Sequence, residues 1–203
     1  MYRNDRAAFV LASTGSVYRS SNHPVREDAT PLAGGHSYVT TKIAMSRLAR
    51  WISTRFGRSV VEMRYWYPFA PYRQHAKIDG FLMGQIVGDD PDTIHQRTYI
   101  KTLLEKTIAA VAHAGSPPLV INCASTENLT QRQIAQVGLR VSGLPYRQPT
   151  PMPSFVDAVG PTADTSKMVR LLGPETVGLE EGMRRYLRAR QQKIDWPEDW
   201  MFE

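Results

Sequence analysis

The chain has 203 residues, with 25 Lys and Arg against 19 Asp and Glu, and 42% of it is hydrophobic. That length suits one domain, or one domain with a small lobe, and the composition excludes a disordered or fibrous chain. No run of about 18 apolar residues is present to span a membrane; Met1–Arg6 lacks the apolar core of a secretory signal; and the single Cys123 excludes an internal disulfide and fits a reducing, cytoplasmic location.

A net charge of +6 is compatible with nucleic acid, a membrane surface or a phosphorylated small molecule as partner. The basic residues are spread along the chain, however. The densest run, Arg184, Arg185, Arg188 and Arg190, follows Glu180 and Glu181, so acids fall in the first turn of a helix and Arg in its last turns. That is a solvated helix face, and neither a nucleic-acid nor a membrane partner is expected.

In chain order, Phe9–Ala12 is a short apolar run ending in Ser13-Thr14-Gly15-Ser16, a buried strand feeding a polar loop. Residues 19–37 are rich in Pro, Gly, Ser, Asn and Asp and form a loop. From Ser37, Ala44, Leu48, Trp51 and Ile52 recur at helical spacing until Gly57 stops the helix. Ser59–Met63 is a second strand, and Pro68 is expected to end its pairing. An irregular stretch reaches about residue 97. Its Gly80, Gly84 and Gly88 do not have the spacing of a dinucleotide fingerprint and read as loop or close-packing glycines. Tyr99–Ala114 is helical, with Leu103, Leu104, Ile108 and Val111 on one side. Residues 119–122 are a third strand. Thr130 caps a helix running to Leu139, a Pro-rich linker spans Leu144–Pro161, and Asp164-Thr165-Ser166 caps a short helix ending at Gly173. Glu180–Gln192 is the last helix. Strands alternating with helices give an α/β chain with a parallel sheet.

Chemistry concentrates in Tyr38-Val39-Thr40-Thr41-Lys42. Positions i and i+4 share a helix face, so phenol and ammonium point the same way. A Tyr transfers protons poorly at neutral pH because its reference pKa is about 10, and bringing it down by about 3 units takes roughly 4 kcal/mol of differential interaction. A neighbouring cation works in that direction. With nine Tyr in the chain, the pair alone is a weak signal, and a surface Tyr beside a surface Lys is the plain alternative.

The order of the segments adds to it. The strand ending in Ser13-Thr14 with Val17-Tyr18 after it, Pro24-Val25-Arg26-Glu27-Asp28, the Tyr38/Lys42 pair, and Val61-Glu62-Met63-Arg64 with Pro68 and Pro71 resemble the extended short-chain dehydrogenase/reductases, the NAD-dependent epimerase/dehydratase family. Arg97-Thr98-Tyr99-Ile100, Ile121–Ser125, Asp164–Lys167, Leu171–Gly173 and Leu179–Met183 extend the resemblance over nearly the whole chain.

The resemblance implies an α/β fold with part of a Rossmann-type parallel sheet and a small C-terminal substrate lobe. Residues 1–72 would be a remnant of the Rossmann domain, and 73–203 a later sheet strand plus the lobe. It further implies an NAD(P)-dependent epimerase, dehydratase or reductase acting on a nucleotide sugar or related alcohol, with NAD or NADP as cofactor. Tyr38 would be the general acid/base. Lys42 would lower its pKa and bond the nicotinamide ribose. Thr14 would bond the reacting oxygen, with Ser13 and Ser16 as rivals and Ser16 also a substrate contact. Trp66 would lie near the nicotinamide, and Arg97 would hold the substrate diphosphate with its bidentate guanidinium. For Trp66 plain packing is the alternative, and for Arg97 a surface charge at a helix end. A homodimer through the Tyr38 helix is also implied.

The sequence departs from the family pattern in one large respect. The strand, Gly-rich turn and helix that hold a dinucleotide pyrophosphate are absent, as are the strands that would precede Phe9. The expectation is therefore a truncated form, or a short protein without catalysis, that binds NAD poorly by itself. Lys101-Thr102 and Phe69-Ala70-Pro71 also differ from the usual pattern. The competing reading is a non-catalytic interaction protein that uses the exposed strand edge and the Tyr38 helix. The five His show no metal spacing, and Ser13 and Ser16 lack a nucleophile elbow.

Overall fold

A computed structural model describes residues 7–19, 21, 23–32, 35–71, 75–88, 90–152 and 162–192. β1 (Phe9–Thr14) runs into a single 3-10 turn, Gly15–Val17. α1 (Ser37–Phe56) stops at Gly57, whose φ of 64° is left-handed. β2 (Val60–Tyr65) and β3 (Pro68–Phe69) follow, then α2 (Ala76–Leu82), β4 (Gln85–Ile86), β5 (Ile94–His95) and β6 (Thr98–Tyr99). α3 (Ile100–Ala110) leads to β7 (Leu119–Cys123), and β8 (Leu129–Thr130) to α4 (Gln131–Ser142). β9 (Thr150–Pro151), α5 (Ser166–Leu172) and α6 (Leu179–Gln191) complete the described chain.

Among the described residues β1, β2 and β7 form a parallel sheet in the order β1-β2-β7, with Val10 opposite Val61, and Val61 opposite Leu119. Val61, Met63, Ile121 and Cys123 are fully buried, as befits parallel strands covered on both faces. Leu103 and Ala110 of α3 and Met168 of α5 pack on that face. α1 lies on the opposite one, where the Ser46 hydroxyl donates to Glu62 at 2.8 Å. The steps β1→β2 and β2→β7 run in one direction across the sheet with their helices on opposite faces, so the two connections have opposite hands. The second is no plain crossover, because it detours through the lobe.

The lobe is built from α2, α4 and α6 around Phe69, Ile78, Phe81, Ile134, Met183 and Tyr186. Gly138 lets α4 close on the Phe81 carbonyl, where any Cβ would collide. Two buried glutamines act as extra strand rungs. Gln131 accepts from the Val87 N–H and donates to the Val87 carbonyl; Gln96 does the same with Ala163. Each pairs a backbone amide that burial would otherwise orphan.

The Thr130 cap appears as a full capping box with Gln133. Asp164 accepts from the Ser166 N–H at 2.8 Å at the start of α5, while Thr165 makes no side-chain cap. Several expectations change. The stretch up to residue 97 contains α2, β4 and β5. Pairing on β2 stops at Tyr65, and Pro68 opens β3, which pairs with β6. The linker carries β9, paired with β4, and its residues 153–161 lie outside the described residues. On α3 the helical period holds for Leu103, but Leu104 and Ile108 face solvent, as does Val111 in the 3-10 turn Val111–His113 that follows it. The stripe Ala44, Leu48 and Trp51 on α1 also faces outward; Val39, Ile43 and Ser53 face the sheet.

Candidate active site

The sequence-derived residues gather at the C-terminal ends of the sheet strands, where ligands sit in open α/β folds. Thr14 ends β1. Its hydroxyl caps the 3-10 turn, accepting from the Ser16 N–H at 3.2 Å and donating to the Ser16 Oγ at 3.2 Å. Ser13 Oγ is buried without a hydrogen-bond partner among the described residues, and Ser16 is exposed. Tyr38, 48% exposed, and Lys42 lie in the first turns of α1, with the Lys42 Nζ 5.8 Å from the Tyr38 ring centre. Lys42 donates to the Ala12 carbonyl of β1 at 2.8 Å. That contact fixes α1 against the strand that carries Thr14 and uses one of the three ammonium donors.

Trp66 lies inside this layer. It is 3% exposed, stacks on Tyr18 with ring centres 5.8 Å apart, and donates from Nε1 to Asn122 at 3.4 Å. Gly15 is seated on its indole so closely that a Cβ would come within 2.4 Å of ring carbons. Behind it runs a buried polar network that sequence reading did not single out. Arg64 Nε meets Glu62 at 2.8 Å, and its Nη1 donates to the Tyr18 hydroxyl. Tyr18 donates to Asn122 Oδ1, and the Asn122 N–H donates to Glu27. Burial opposes the Arg64 charge, but Glu62 and Tyr18 together more than offset it and its pKa is raised; burial raises that of Tyr18. The available signal was Glu62 and Arg64 at i and i+2, opposite charges on one face of an otherwise apolar strand.

On the lobe side, Arg97 is 4% exposed, so it is no surface charge. Its guanidinium carbon lies 5.0 Å from the Tyr67 ring centre and 5.3 Å from that of Phe81. Nε and Nη2 have no hydrogen-bond partner among the described residues. Burial drives its pKa down to about 10. Beside it His95, also buried, has neither ring nitrogen hydrogen-bonded among the described residues, and burial with Arg97 and Lys77 lowers its pKa to about 3. Burial and Arg97 also lower Lys77. Tyr67, which packs on both His95 and Arg97, has φ 41°, a conformation non-glycine residues rarely adopt away from functional sites. Sequence reading took His95 only as a non-ligand and passed over Tyr67, although His95 and Arg97 fall two apart in extended chain. No metal-binding group of His, Cys, Asp and Glu occurs among the described residues.

Thr98 joins the two sides. Its hydroxyl donates to the Trp66 carbonyl at 2.9 Å and accepts from the Ser125 N–H at 2.8 Å.

Residues 1–89 match the model of the NAD dependent epimerase/dehydratase family. A UDP-glucuronate 4-epimerase of Thermodesulfobacterium geofontis (strain OPF15) is 27% identical over 199 residues, covering 92% of this chain and 60% of the relative. The UDP-glucuronic acid 4-epimerase of Bacillus cereus, solved with UDP-glucuronic acid and NAD, is 27% identical with a TM-score of 0.72, over 91% of this chain and 62% of that one. MoeE5, solved with the same two ligands, is 20% identical and shares the fold with a TM-score of 0.74, over 92% of this chain and 66% of its own. The chain thus spans about two thirds or less of these relatives' lengths, and its sheet is part of a Rossmann-type sheet. No helix among the described residues is long and apolar enough to cross a membrane.

Proposed function

We propose that this chain, whose residues 1–89 match the model of the NAD dependent epimerase/dehydratase family, carries the acid/base and diphosphate-binding parts of a nucleotide-sugar site. One observation carries the reading. Arg97 is buried and flanked by aromatic rings, its Nε and Nη2 have no hydrogen-bond partner among the described residues, and it lies near His95 and Lys77 with no carboxylate paired to it among those residues. Burying such a charge is costly unless it meets an anion, and a substrate diphosphate supplies one in the bidentate geometry that a guanidinium fits. The relatives solved with UDP-glucuronic acid suggest a UDP-sugar as the class.

Tyr38 is the group proposed to take or return the proton of a sugar hydroxyl, with Thr14 aligning that oxygen and Lys42 favouring the phenolate. A bound NAD or NADP would supply the hydride acceptor. The residues present fit its ribose end: Lys42 has donors beyond the one given to Ala12, and Tyr38 is half exposed beside it. Trp66, closed in by Tyr18 and Gly15, is proposed to wall the site from below. The described residues contain no glycine-rich pyrophosphate cradle, and we expect the chain alone to hold NAD(P) weakly.

Calorimetric titration with UDP-glucuronic acid and with NAD(H) and NADP(H) tests this. UDP-glucuronic acid is expected to bind, at least tenfold more weakly to Arg97→Gln than to the parent, while Tyr38→Phe leaves binding in place. Equal binding by a folded Arg97→Gln variant overturns the reading. Micromolar NAD(H) binding that is lost in Lys42→Ala would show that the cofactor site is complete in this chain.

A further inference from the structure

His95 and Arg97 are each 4% exposed and pack against one ring, that of Tyr67, with the imidazole centre at 5.3 Å and the guanidinium carbon at 5.0 Å. Gln96 between them is also buried, and both ends of its amide are bonded to the backbone of Ala163. His95 and Arg97 differ from it. Nδ1 and Nε2 of the one, and Nε and Nη2 of the other, have no hydrogen-bond partner among the described residues. Folded proteins pair nearly all of their buried polar groups, so four such atoms beside one ring point to a ligand.

These atoms do not require the same partner. Nε and Nη2 of Arg97 only donate. Burial beside Arg97 and Lys77 keeps the His95 imidazole neutral at neutral pH, and a neutral imidazole donates from one ring nitrogen and accepts at the other. An ionised diphosphate only accepts. It can take the arginine donors and the imidazole N–H, but it leaves the accepting nitrogen of His95 buried and unpaired, which is costly. A donor on the ligand completes the set. We propose that His95 is a specificity-determining residue, accepting a hydrogen bond from a hydroxyl that the ligand carries beside its diphosphate. This rests on the reading that Arg97 holds that diphosphate. A nucleoside diphosphate sugar carries hydroxyls on both flanks, on the ribose and on the hexose, and a site built around one of them rejects the analogue that lacks it.

The test is calorimetry on the full chain with two pairs of ligands: UDP and 2′,3′-dideoxy-UDP, and UDP-glucose and UDP-2-deoxyglucose. In at least one pair the parent is expected to bind the deoxy member at least tenfold more weakly. A loss in the first pair assigns the hydroxyl to the ribose, and a loss confined to the second assigns it to the hexose. His95→Phe and His95→Leu, which lack an acceptor, are each expected to erase that difference. His95→Gln, whose amide accepts as well as donates, is expected to keep part of it, and circular dichroism confirms that each variant folds. Equal affinities within both pairs overturn the proposal, because solvent then satisfies the nitrogen; so does a difference that the folded His95→Phe or His95→Leu variant retains in full. In those cases a weakening of UDP binding by Arg97→Gln leaves the diphosphate reading standing. Binding that Arg97→Gln leaves unchanged, or no binding of any of the four ligands, overturns that reading and this proposal with it.

Discussion

Tyr67 holds its φ of 41° with its ring against the guanidinium of Arg97, 5.0 Å from ring centre to carbon. A strained backbone and a buried cation thus support one another at the mouth of the lobe. Removing the side chain relieves strain of order 1 kcal/mol but strips the ring from Arg97 and His95, a loss of about 3 kcal/mol for a packed aromatic. Tyr67→Gly is therefore expected to destabilise the fold by about 2 kcal/mol in urea denaturation.

Glu62 and Arg64 are both about 95% buried and meet at 2.8 Å. Removing one partner leaves the other charge buried and uncompensated, which costs about 3–5 kcal/mol. Glu62→Ala and Arg64→Ala are each expected to show a loss of that order. The double variant Glu62→Ala/Arg64→Ala should cost much less than their sum, and a double-mutant cycle by chemical denaturation measures the difference.

His95 gives the pH dependence a sign. Its folded pKa is lowered to about 3 by burial, with Arg97 and Lys77 adding to it, whereas an unfolded His takes up its proton near 6.5. Between those values the unfolded chain binds more protons, so stability is fully present above about pH 6.5 and is lost as the pH falls toward 3, at up to about 1.4 kcal/mol per unit. His95→Phe, which keeps a ring against Tyr67, is expected to flatten that slope between pH 6.5 and 4.5 in urea midpoints.

Gly15 leaves no room for a side chain. Its neighbour Trp66 is held between Tyr18 and Asn122, so the indole has nowhere to retreat. Gly15→Ala is expected to cost about 2–3 kcal/mol, as overpacking does, and to shift the Trp fluorescence and the near-ultraviolet circular dichroism.

The sheet strands, the Gly57 stop and the Thr130 cap were readable because each rests on a local rule: an apolar run, a left-handed cap, a side chain on a helix-start amide. Burial was harder to read. Periodicity marks an apolar stripe on α1 but does not say which way it faces. Ser46 and Ser53 face inward because Glu62 and the Arg58 carbonyl give their hydroxyls partners, and this leaves Leu48 and Trp51 outside. Thr14, Tyr38, Lys42 and Arg97 were nameable from spacing and family resemblance. Lys77 joins Arg97 only through tertiary contact, and the φ of Tyr67 falls where the chain leaves the β1-β2-β7 sheet for the β3-β6 pair, which no single-residue preference encodes.

Thr98 adds a mechanical consequence. Its one hydroxyl fastens the segment bearing Arg97 to the backbone just past β2 and to the amide just past β7. A displacement of Arg97 would thus be passed to the tips of two sheet strands at once. A substitution at the clasp, such as Thr98→Val, is therefore expected to loosen the proposed anion site without removing any group proposed to touch the ligand.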